Sequence, residues 1–343
     1  MQQITIDPNH LHAPTRDSGA DHVPQTLPPV KNSKAHPKNP RGENASIYFV
    51  GNATTIIEWQ GVRILTDPNF LHAGDHVHLG PGVTSTRLHD PAVKLLELPR
   101  IDLVLLSHYH EDHFDRKVEA SLRRDLPIVT TSHAKSVLTS AAKGADAFTN
   151  VYYVDPFHQM MIDIASRKGE SNAPALRVTG MPGKHVPLGK PMEVVNEIIG
   201  AFPPVNGWML ELGYKQGQTE DSSFTTGYRI YISGDTLLVD ELKEIPRLYG
   251  EHNINLMIVH LGATMVPSPS LMPFTLMVTM NAEQSVELMQ LVKPDITIPV
   301  HFDDYDVMSE SLEQFKDAVE TAGLGGGVVY LDRGEEYRFC VRC

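Results

Sequence analysis

Ser107-His108-Tyr109-His110-Glu111-Asp112-His113 is the stretch of sequence that decides the fold. It places three imidazoles and an aspartate within six residues, in the order His-x-His-x-Asp-His. Neutral imidazole nitrogens and carboxylate oxygens are good ligands for zinc. Without a metal, so many polar groups crowded into a buried turn would cost stability, because nothing would satisfy them. The alternative is a histidine-rich polar loop at the surface, but the apolar run before the motif favours a metal site.

The motif follows residues 101–106, an apolar run long enough for a buried strand. Side chains alternate on extended backbone, so His108 and His110 are expected to point the same way and chelate one ion. Asp112 and His113 lie past the strand end, where the chain can curl and offer a second set of ligands. Strand ends and the loops that leave them are where sites are usually built. Four local ligands do not close a site, so further ligands are expected downstream.

Three single residues later in the chain meet that expectation. His185 is displayed in a turn that glycine and proline residues fix. Asp235 follows the apolar run 228–232 through a Ser-Gly pair, and glycine there allows close approach of the backbone. His301 ends the apolar run 296–300. The alternatives are an ordinary loop histidine at 185 and a strand-capping aspartate at 235.

The chain resembles the metallo-β-lactamase superfamily, whose signature is His-x-His-x-Asp-His followed by single His, Asp and His ligands. Within that superfamily it is most similar to the branch of L-ascorbate-6-phosphate lactonase and N-acylphosphatidylethanolamine phospholipase D. The resemblance covers the chain from about residue 46 to the end. The segments that support it are 49–57, 64–68, 98–102, 107–115, 233–236 and 301–305.

This resemblance implies an α/β fold, an αββα sandwich of two mixed sheets that face each other, with helices outside and metals at one edge. It also implies seven ligands divided between two divalent ions. The first ion takes His108, His110 and His185; the second takes Asp112, His113 and His301; Asp235 bridges them. Asp67 resembles an aspartate outside the ligand set, which accepts a hydrogen bond from a ligand histidine and fixes its tautomer.

The chemistry of the ligands agrees with zinc, because imidazole-rich sites suit that ion; manganese and iron are the alternatives. The chain departs from the superfamily at Asn52, where related proteins usually carry histidine in a Gly-His-Ala-Thr turn. That position is not a ligand in the motif, so the predicted metal site stands. Near Asn52, contacts to the substrate and to the residues that support the ligands are expected to differ from those in related proteins.

Such a site predicts a metal-dependent hydrolase in which a metal-bridging hydroxide attacks a lactone or other ester carbonyl, or a phosphodiester. Asp112 and Asp235 are the catalytic candidates, and Asp112 is expected to orient the nucleophile or to shuttle its proton. The alternative from another class is an iron-dependent redox enzyme on the same scaffold. Hydrolysis of a β-lactam would be a minor activity, and a binding protein that keeps metal without turnover is the third alternative.

Residues that contact the substrate are less well marked. The candidates are His260 at a strand end, Tyr305 just past the last ligand, and His78 in the loop after Asp67. For His260 and Tyr305, ordinary structural roles are the alternatives. Residues 265–274 are rich in methionine and proline, so they predict a lid or pocket wall for a partly hydrophobic small molecule. The alternative is a loop packed on the core or on another subunit, and a homo-oligomer is left open.

Composition limits the remaining classes of function. A net charge of −13 argues against nucleic acid as a partner, because phosphate binding needs basic patches. The sequence contains no apolar run of about 18 residues, so no transmembrane segment is expected. The N-terminus lacks the order of a secretory signal, which predicts a cytoplasmic protein. Cys340 and Cys343 are the two cysteines, and we expect reduced thiols at the end of the chain.

The pattern along the chain divides it into two parts. Residues 1–45 are rich in proline and have no apolar period, which predicts an extended N-terminal arm. Residues 46–343 carry alternating strand and helix signals and form the predicted hydrolase domain. Strands are predicted at 46–50, 54–59, 62–66, 101–106, 128–130, 151–154, 175–178, 208–212, 228–232, 255–259 and 296–300. Helices are predicted at 134–142, 282–292 and 311–322.

Overall fold

The structure is a computed structural model, which describes residues 2–10, 12–16, 23–37, 42–80, 82–165, 172–185, 202–216, 223–266, 268–271 and 275–343. The strands of these ranges are β1 (Gln2–Ile6), β2 (Ser33–Ala35), β3 (Ala45–Gly51), β4 (Thr54–Trp59), β5 (Val62–Thr66), β6 (His76–Gly80), β7 (Val83–Thr86), β8 (Leu103–Leu105), β9 (Ile128–Thr130), β10 (Val151–Tyr153), β11 (Gln159–Ile164), β12 (Asn172–Pro182), β13 (Asn206–Gln216), β14 (Ser223–Ile232), β15 (Leu256–His260), β16 (Met265–Val266), β17 (Leu276–Met277), β18 (Ile296–Val300) and β19 (Glu336–Phe339). The α-helices are α1 (Arg116–Ser121), α2 (Ser132–Leu138), α3 (Glu244–Tyr249), α4 (Ala282–Val292) and α5 (Leu312–Thr321).

Two large mixed sheets account for most of these strands. The first has the order β1-β11-β12-β13-β14-β15-β18, and the second has the order β10-β9-β8-β5-β4-β3-β19-β2. Strands β14, β15 and β18 are parallel to one another, as are β5, β8, β9 and β10. Parallel strands end at the same edge of a sheet, so the loops that follow them all start at that edge. Two small hairpins, β6–β7 and β16–β17, complete the topology.

Alternation along the strands explains how the layers pack. On β8, Leu103 and Leu105 belong to the apolar core between the two sheets, whereas Val104 belongs to a second cluster on the outer face. Strand β15 behaves in the same way, with Ile258 inside and Val259 outside. Both faces of these strands are buried, which is why their sequences read as continuous apolar runs.

Helices cover the outer faces of both sheets. Apolar side chains of α1 and α2 pack on the outer face of the second sheet. Those of α3, α4 and α5 pack on the outer face of the first sheet. The αββα sandwich is therefore confirmed. None of the described helices is long and apolar enough to cross a membrane.

Local sequence signals set the bounds of the longer helices. Helix α4 begins after Asn281, whose side chain accepts a hydrogen bond from the backbone N–H of Gln284. Helix α5 begins with a capping box between Ser311 and Gln314. The predicted helix at 282–292 is confirmed, and the one at 311–322 is longer by one residue at each end. The predicted helix at 134–142 was too long, because α2 ends at Leu138 and a short 3₁₀ helix follows it.

The N-terminal arm contributes strands that its sequence did not predict. Strand β1 pairs in parallel with β11 at the edge of the first sheet. Strand β2 pairs in parallel with β19 at the edge of the second sheet. The described part of the arm therefore extends both sheets, while its division from the domain at residue 45 stays a prediction.

The core between the sheets predicts a stability difference between two leucines. Leu210 on β13 is fully buried there, whereas Leu248 on α3 is 49% exposed. Leu210→Ala should lower the free energy of unfolding by about 2–5 kcal/mol, because it leaves a cavity among packed side chains. Leu248→Ala should change it by less than about 0.5 kcal/mol. Urea denaturation measures both, and equal losses would contradict this packing.

Candidate metal centre

Predicted residues of the site gather at the edge where the parallel strands end. Asp67 follows β5 and His108 lies three residues after β8, both in the second sheet. In the first sheet, Asp235 lies just after β14 and His301 just after β18. All four are at most 3% exposed. The two sheets therefore bring residues from distant parts of the sequence into one buried cluster.

Three residues at this edge have left-handed backbone. The φ angles of Asn52, Asp67 and His301 are 52°, 34° and 61°. Non-glycine residues adopt this region rarely, and each costs of order 1–3 kcal/mol that the surrounding structure must offset. Such strain is concentrated at functional sites in proteins.

His108 and His185 face each other through their outer ring nitrogens. The distance between the two Nε2 atoms is 3.1 Å. The Nδ1 atom of His185 lies 3.1 Å from the backbone carbonyl of Val278 and must donate to it. The Nδ1 atom of His108 lies 2.9 Å from the Ser107 hydroxyl, which itself donates to Asp67. Both Nδ1 atoms therefore carry the proton, and both Nε2 atoms present lone pairs to each other.

Burial keeps these two rings neutral. Desolvation lowers the pKa of His108 well below its usual range and lowers the pKa of His185 to about 4. A shared proton therefore does not offset the repulsion between the lone pairs at neutral pH. A metal ion would do so, and Asp235 offers a third ligand atom within 4.8 Å of both rings.

A second cluster joins Asp112, His113, Asp235 and His301, whose ligand atoms all lie within 4.8 Å of one another. Asp235 Oδ2 is 3.1 Å from His113 Nε2 and 3.6 Å from His301 Nε2. Asp112 Oδ2 is 3.5 Å and 3.6 Å from the same two nitrogens. Asp235 thus belongs both to this cluster and to the group that it forms with His108 and His185.

The pKa values in this cluster indicate that its buried carboxylates are stabilised by nearby positive charge. Burial alone would raise the pKa values of Asp112 and Asp235, but the adjacent His113 holds both well below their usual range. Burial alone would lower the pKa of His113, but the two carboxylates raise it well above its usual value. Two buried carboxylates therefore require a cation, which a proton or a metal ion supplies.

His110 completes the predicted set in a more open position. Its side chain is 15% exposed, and its Nδ1 atom is 3.0 Å from Asp112 Oδ1. It forms a candidate group with His108 and Asp112, but the corresponding group around His185 does not include it.

Several buried polar atoms of the site have no hydrogen-bond partner among the described residues. They are His110 Nε2, His113 Nδ1 and Nε2, His301 Nε2 and Asp112 Oδ1. Buried polar atoms are almost always paired, so such a group of exceptions requires an explanation. Metal ligation provides one, and the side chains present fit it.

Asp67 lies behind two of the predicted ligands, His108 and His113. Its Oδ1 atom accepts hydrogen bonds from the backbone N–H and the hydroxyl of Ser107, at 2.7 and 2.9 Å. It therefore reaches His108 through Ser107 rather than directly. Its Oδ2 atom lies 3.7 Å from His113 Nδ1, which is an ion-pair distance. Sequence reasoning missed Ser107, although its place directly before the motif was a signal.

His260 lies against the ligands. Its Nδ1 atom is 2.8 Å from Asp235 Oδ1, and its side chain is only 1% exposed. The ring stacks on His113 and His301, with interplanar angles of 16° and 18°. This placement orients the Asp235 carboxylate, and a substrate contact of His260 stays a prediction.

Tyr305 and His78 lie at opposite extremes of exposure. Tyr305 is 1% exposed, and its hydroxyl accepts a hydrogen bond from Asn69 behind the Asp112 loop. His78 is exposed on β6, and its backbone N–H donates to Glu111 Oε2 at 2.8 Å. This hydrogen bond joins the hairpin β6–β7 to the ligand loop, residues 107–113. Substrate contacts of Tyr305 and His78 stay predictions.

The predicted lid at 265–274 is described in part. Residues 267 and 272–274 lie outside the described ranges. The flanking residues form the hairpin of β16 and β17, with Met265 opposite Met277. Strand β17 leads directly to Val278, the residue whose carbonyl holds His185.

Comparisons with known proteins agree with this architecture. A family model described as the beta-lactamase superfamily domain matches residues 62–302. A relative from Methanopyrus kandleri, described as a UPF0173 metal-dependent hydrolase, is 27% identical over 293 residues, which are 85% of this chain and 98% of the relative.

Two solved structures have a similar fold at low sequence identity. The isothiocyanate hydrolase from Delia radicum gut bacteria has a TM-score of 0.63 and 15% identity, covering 87% of this chain and 100% of that one. A possible metal-dependent hydrolase from Veillonella parvula has a TM-score of 0.60 and 17% identity, covering 86% and 99%.

The site predicts that zinc stabilises the folded chain. Zinc at about 100 times its Kd should add about 2.7 kcal/mol to the free energy of unfolding, because it binds the folded site preferentially. Thermal unfolding with added zinc and with a chelator measures the change in Tm.

Matched histidine variants distinguish zinc binding at this site from nonspecific zinc binding at the surface. His185→Gln should lose much of the zinc-dependent shift, whereas His252→Gln, at an exposed position, should keep it. An equal shift in both variants, or none in the unaltered protein, would contradict a metal centre at this edge.

Proposed function

This chain belongs to the beta-lactamase superfamily domain family, and we propose that it is a metal-dependent hydrolase with two divalent ions, of which zinc fits the ligands best. The observation that carries the proposal is the position of Asp235, a buried carboxylate common to both ligand clusters. A single carboxylate between two groups of histidines is the arrangement that a dinuclear site needs.

The resemblance divides the ligands between the two ions. His108, His110 and His185 would hold the first ion. Asp112, His113 and His301 would hold the second, with Asp235 common to both. The supporting contacts favour this division, because Ser107 and Val278 turn the lone pairs of His108 and His185 toward each other. His301 Nδ1 lies 3.3 Å from the carbonyl of Leu261, which leaves its Nε2 free as a ligand.

Bound ions of this kind supply Lewis acidity and lower the pKa of water to roughly 7, so that hydroxide is available at neutral pH. The protein supplies the orientation. Asp112 Oδ1 has no hydrogen-bond partner besides the nearby His110 ring, so it can orient the nucleophile or take its proton. His260 fixes the opposite side of the site by holding Asp235 Oδ1.

The substrate we propose has a lactone or other ester carbonyl, or a phosphodiester. Resemblance to the branch of ascorbate-phosphate lactonase and acylphosphatidylethanolamine phospholipase supports these classes. The half-buried side chains of Met265, Leu276 and Met277 lie next to the segment that holds His185, which favours a partly hydrophobic small molecule. β-Lactam hydrolysis is the minor alternative. A cytoplasmic location and the absence of nucleic acid as a partner stay predictions.

Replacing the shared carboxylate tests the dinuclear site. Asp235→Ala should lower the metal content below two ions per chain. Turnover should fall by more than the roughly 10- to 100-fold that is typical when a residue hydrogen-bonded to a metal ligand is lost. Metal analysis and a hydrolysis assay on the same preparation measure both effects. Asp102→Ala is the matched control, since Asp102 is also a buried aspartate but binds Arg63 and Arg100. Full metal content with unchanged turnover in Asp235→Ala would overturn the proposal.

A substrate panel tests the reaction class. Zinc-loaded and manganese-loaded protein should hydrolyse lactones, esters or phosphodiesters faster than β-lactams, and a chelator should abolish the activity. Metal analysis of protein purified without added metal separates hydrolysis from redox chemistry. Iron as the bound metal, with no hydrolysis of any compound, would favour the iron-dependent redox enzyme instead.

A further inference from the structure

Two asparagines converge on the backbone of the ligand loop. The side-chain amides of Asn52 and Asn69 donate hydrogen bonds to the carbonyl oxygen of Asp112, at 2.7 and 2.9 Å. Neither asparagine is exposed, and neither is a metal ligand. A carbonyl with two buried donors is held firmly, because moving it would break two buried hydrogen bonds at once.

Asn69 is itself fixed on three sides. Its Oδ1 atom accepts a hydrogen bond from Arg87, and its backbone N–H donates to the Thr54 hydroxyl at 3.0 Å. Its amide nitrogen also lies 2.7 Å from the Tyr305 hydroxyl. The amide that holds Asp112 therefore has little rotational freedom.

A buried carboxylate closes the network into a ring. Asp304 Oδ1 lies 2.8 Å from Arg87 Nη2, and both side chains are fully buried. Asp304 Oδ2 accepts hydrogen bonds from Arg333 and from the backbone N–H of Asn52, at 2.7 and 2.6 Å. The ring runs from Asp304 through Asn52 to Asp112 and returns through Asn69 and Arg87. Paired charges of opposite sign make it compatible with a dry interior.

The ring connects the two loops that carry the ligands of the second predicted ion. One loop carries Asp112 and His113, two residues after His110 of the first ion. The other carries His301, whose backbone N–H donates to the carbonyl of Asn52 at 3.0 Å, and Asp304 follows three residues later. His185 of the first ion is held outside the ring, by the carbonyl of Val278.

We propose that Asn52 and Asn69 are positioning residues that fix the Asp112 carboxylate for the second metal ion. They hold the backbone of Asp112, so the loop is rigid, while Asp112 Oδ2 faces His113 Nε2 and His301 Nε2 at 3.5 and 3.6 Å, where the second ion would bind. The proposal rests on the dinuclear site proposed above. It also gives a role to Asn52, which stands where related proteins usually carry histidine.

The test is a two-site zinc titration against a chromophoric chelator. Asn69→Ala removes one amide donor. Asn52→Gly removes the other and keeps a residue that adopts positive φ readily. Both variants should bind the second ion roughly 10- to 100-fold more weakly, which is the usual effect of losing a residue that holds a metal ligand in place. Both should bind the first ion with unchanged affinity. The absorption spectrum of each cobalt-loaded variant should likewise lose the contribution of the second ion and keep that of the first.

Asn206→Ala is the matched control. Asn206 is also a buried asparagine, and its side-chain amide donates to the carbonyl of Val154 at 2.7 Å. Its hydrogen bond to a ligand loop, from its backbone N–H to the carbonyl of Ser107, is kept in Asn206→Ala. It should lose comparable stability and keep both zinc affinities. Weakening of the second ion by Asn206→Ala to the same extent would reduce the role of Asn52 and Asn69 to general stability and overturn the inference.

The outcomes separate the inference from the proposed function. If the unaltered protein binds two ions and both variants keep the affinity of the second, the inference fails and the hydrolase proposal stands. If the unaltered protein binds no zinc at this edge, the hydrolase proposal itself fails. Should Asn69→Ala fail to fold, Asn52→Gly alone decides the result.

Discussion

Buried negative charge is the constraint on which this site depends. Asp112 and Asp235 are nearly inaccessible, yet adjacent histidines keep both ionised. Desolvating two carboxylates is unfavourable unless a cation is close to them. The fold supplies the enclosure, because the parallel strands of both sheets end at this edge. It also accepts strained backbone at Asp67 and His301 in order to aim the side chains inward.

The residues that gather in the candidate site could be picked out from the sequence because their signals are local. Four of them lie within six residues, and His185, Asp235 and His301 each follow a strand or a turn that the sequence marks. The layers followed from the family resemblance, and individual buried strands could be placed because they are continuous apolar runs. Helix α4 had both an N-cap and a clear period, so its limits were predicted correctly.

The supporting residues could not be predicted in the same way. Asn69 and Asp112 are 43 positions apart, and no spacing rule connects an amide to a carbonyl at that distance. Arg87 resembles an ordinary surface arginine in the sequence, and only the fold buries it against Asp304. Strands β1 and β2 belong to the same class, because their pairing depends on edges that exist only after the sheets form. Pocket shape, which selects the substrate, depends on contacts of this kind.

The placement of β1 and β2 has a consequence for colloidal behaviour. Open sheet edges are templates for pairing with other chains, and proteins that leave them bare tend to aggregate. Here one proline-rich segment covers an edge of each sheet, β11 in the first and β19 in the second. Loss of that segment by proteolysis would uncover two edges at once, on opposite layers of the same molecule. The arm thus makes its own short strands, β1 and β2, outermost strands of the two sheets.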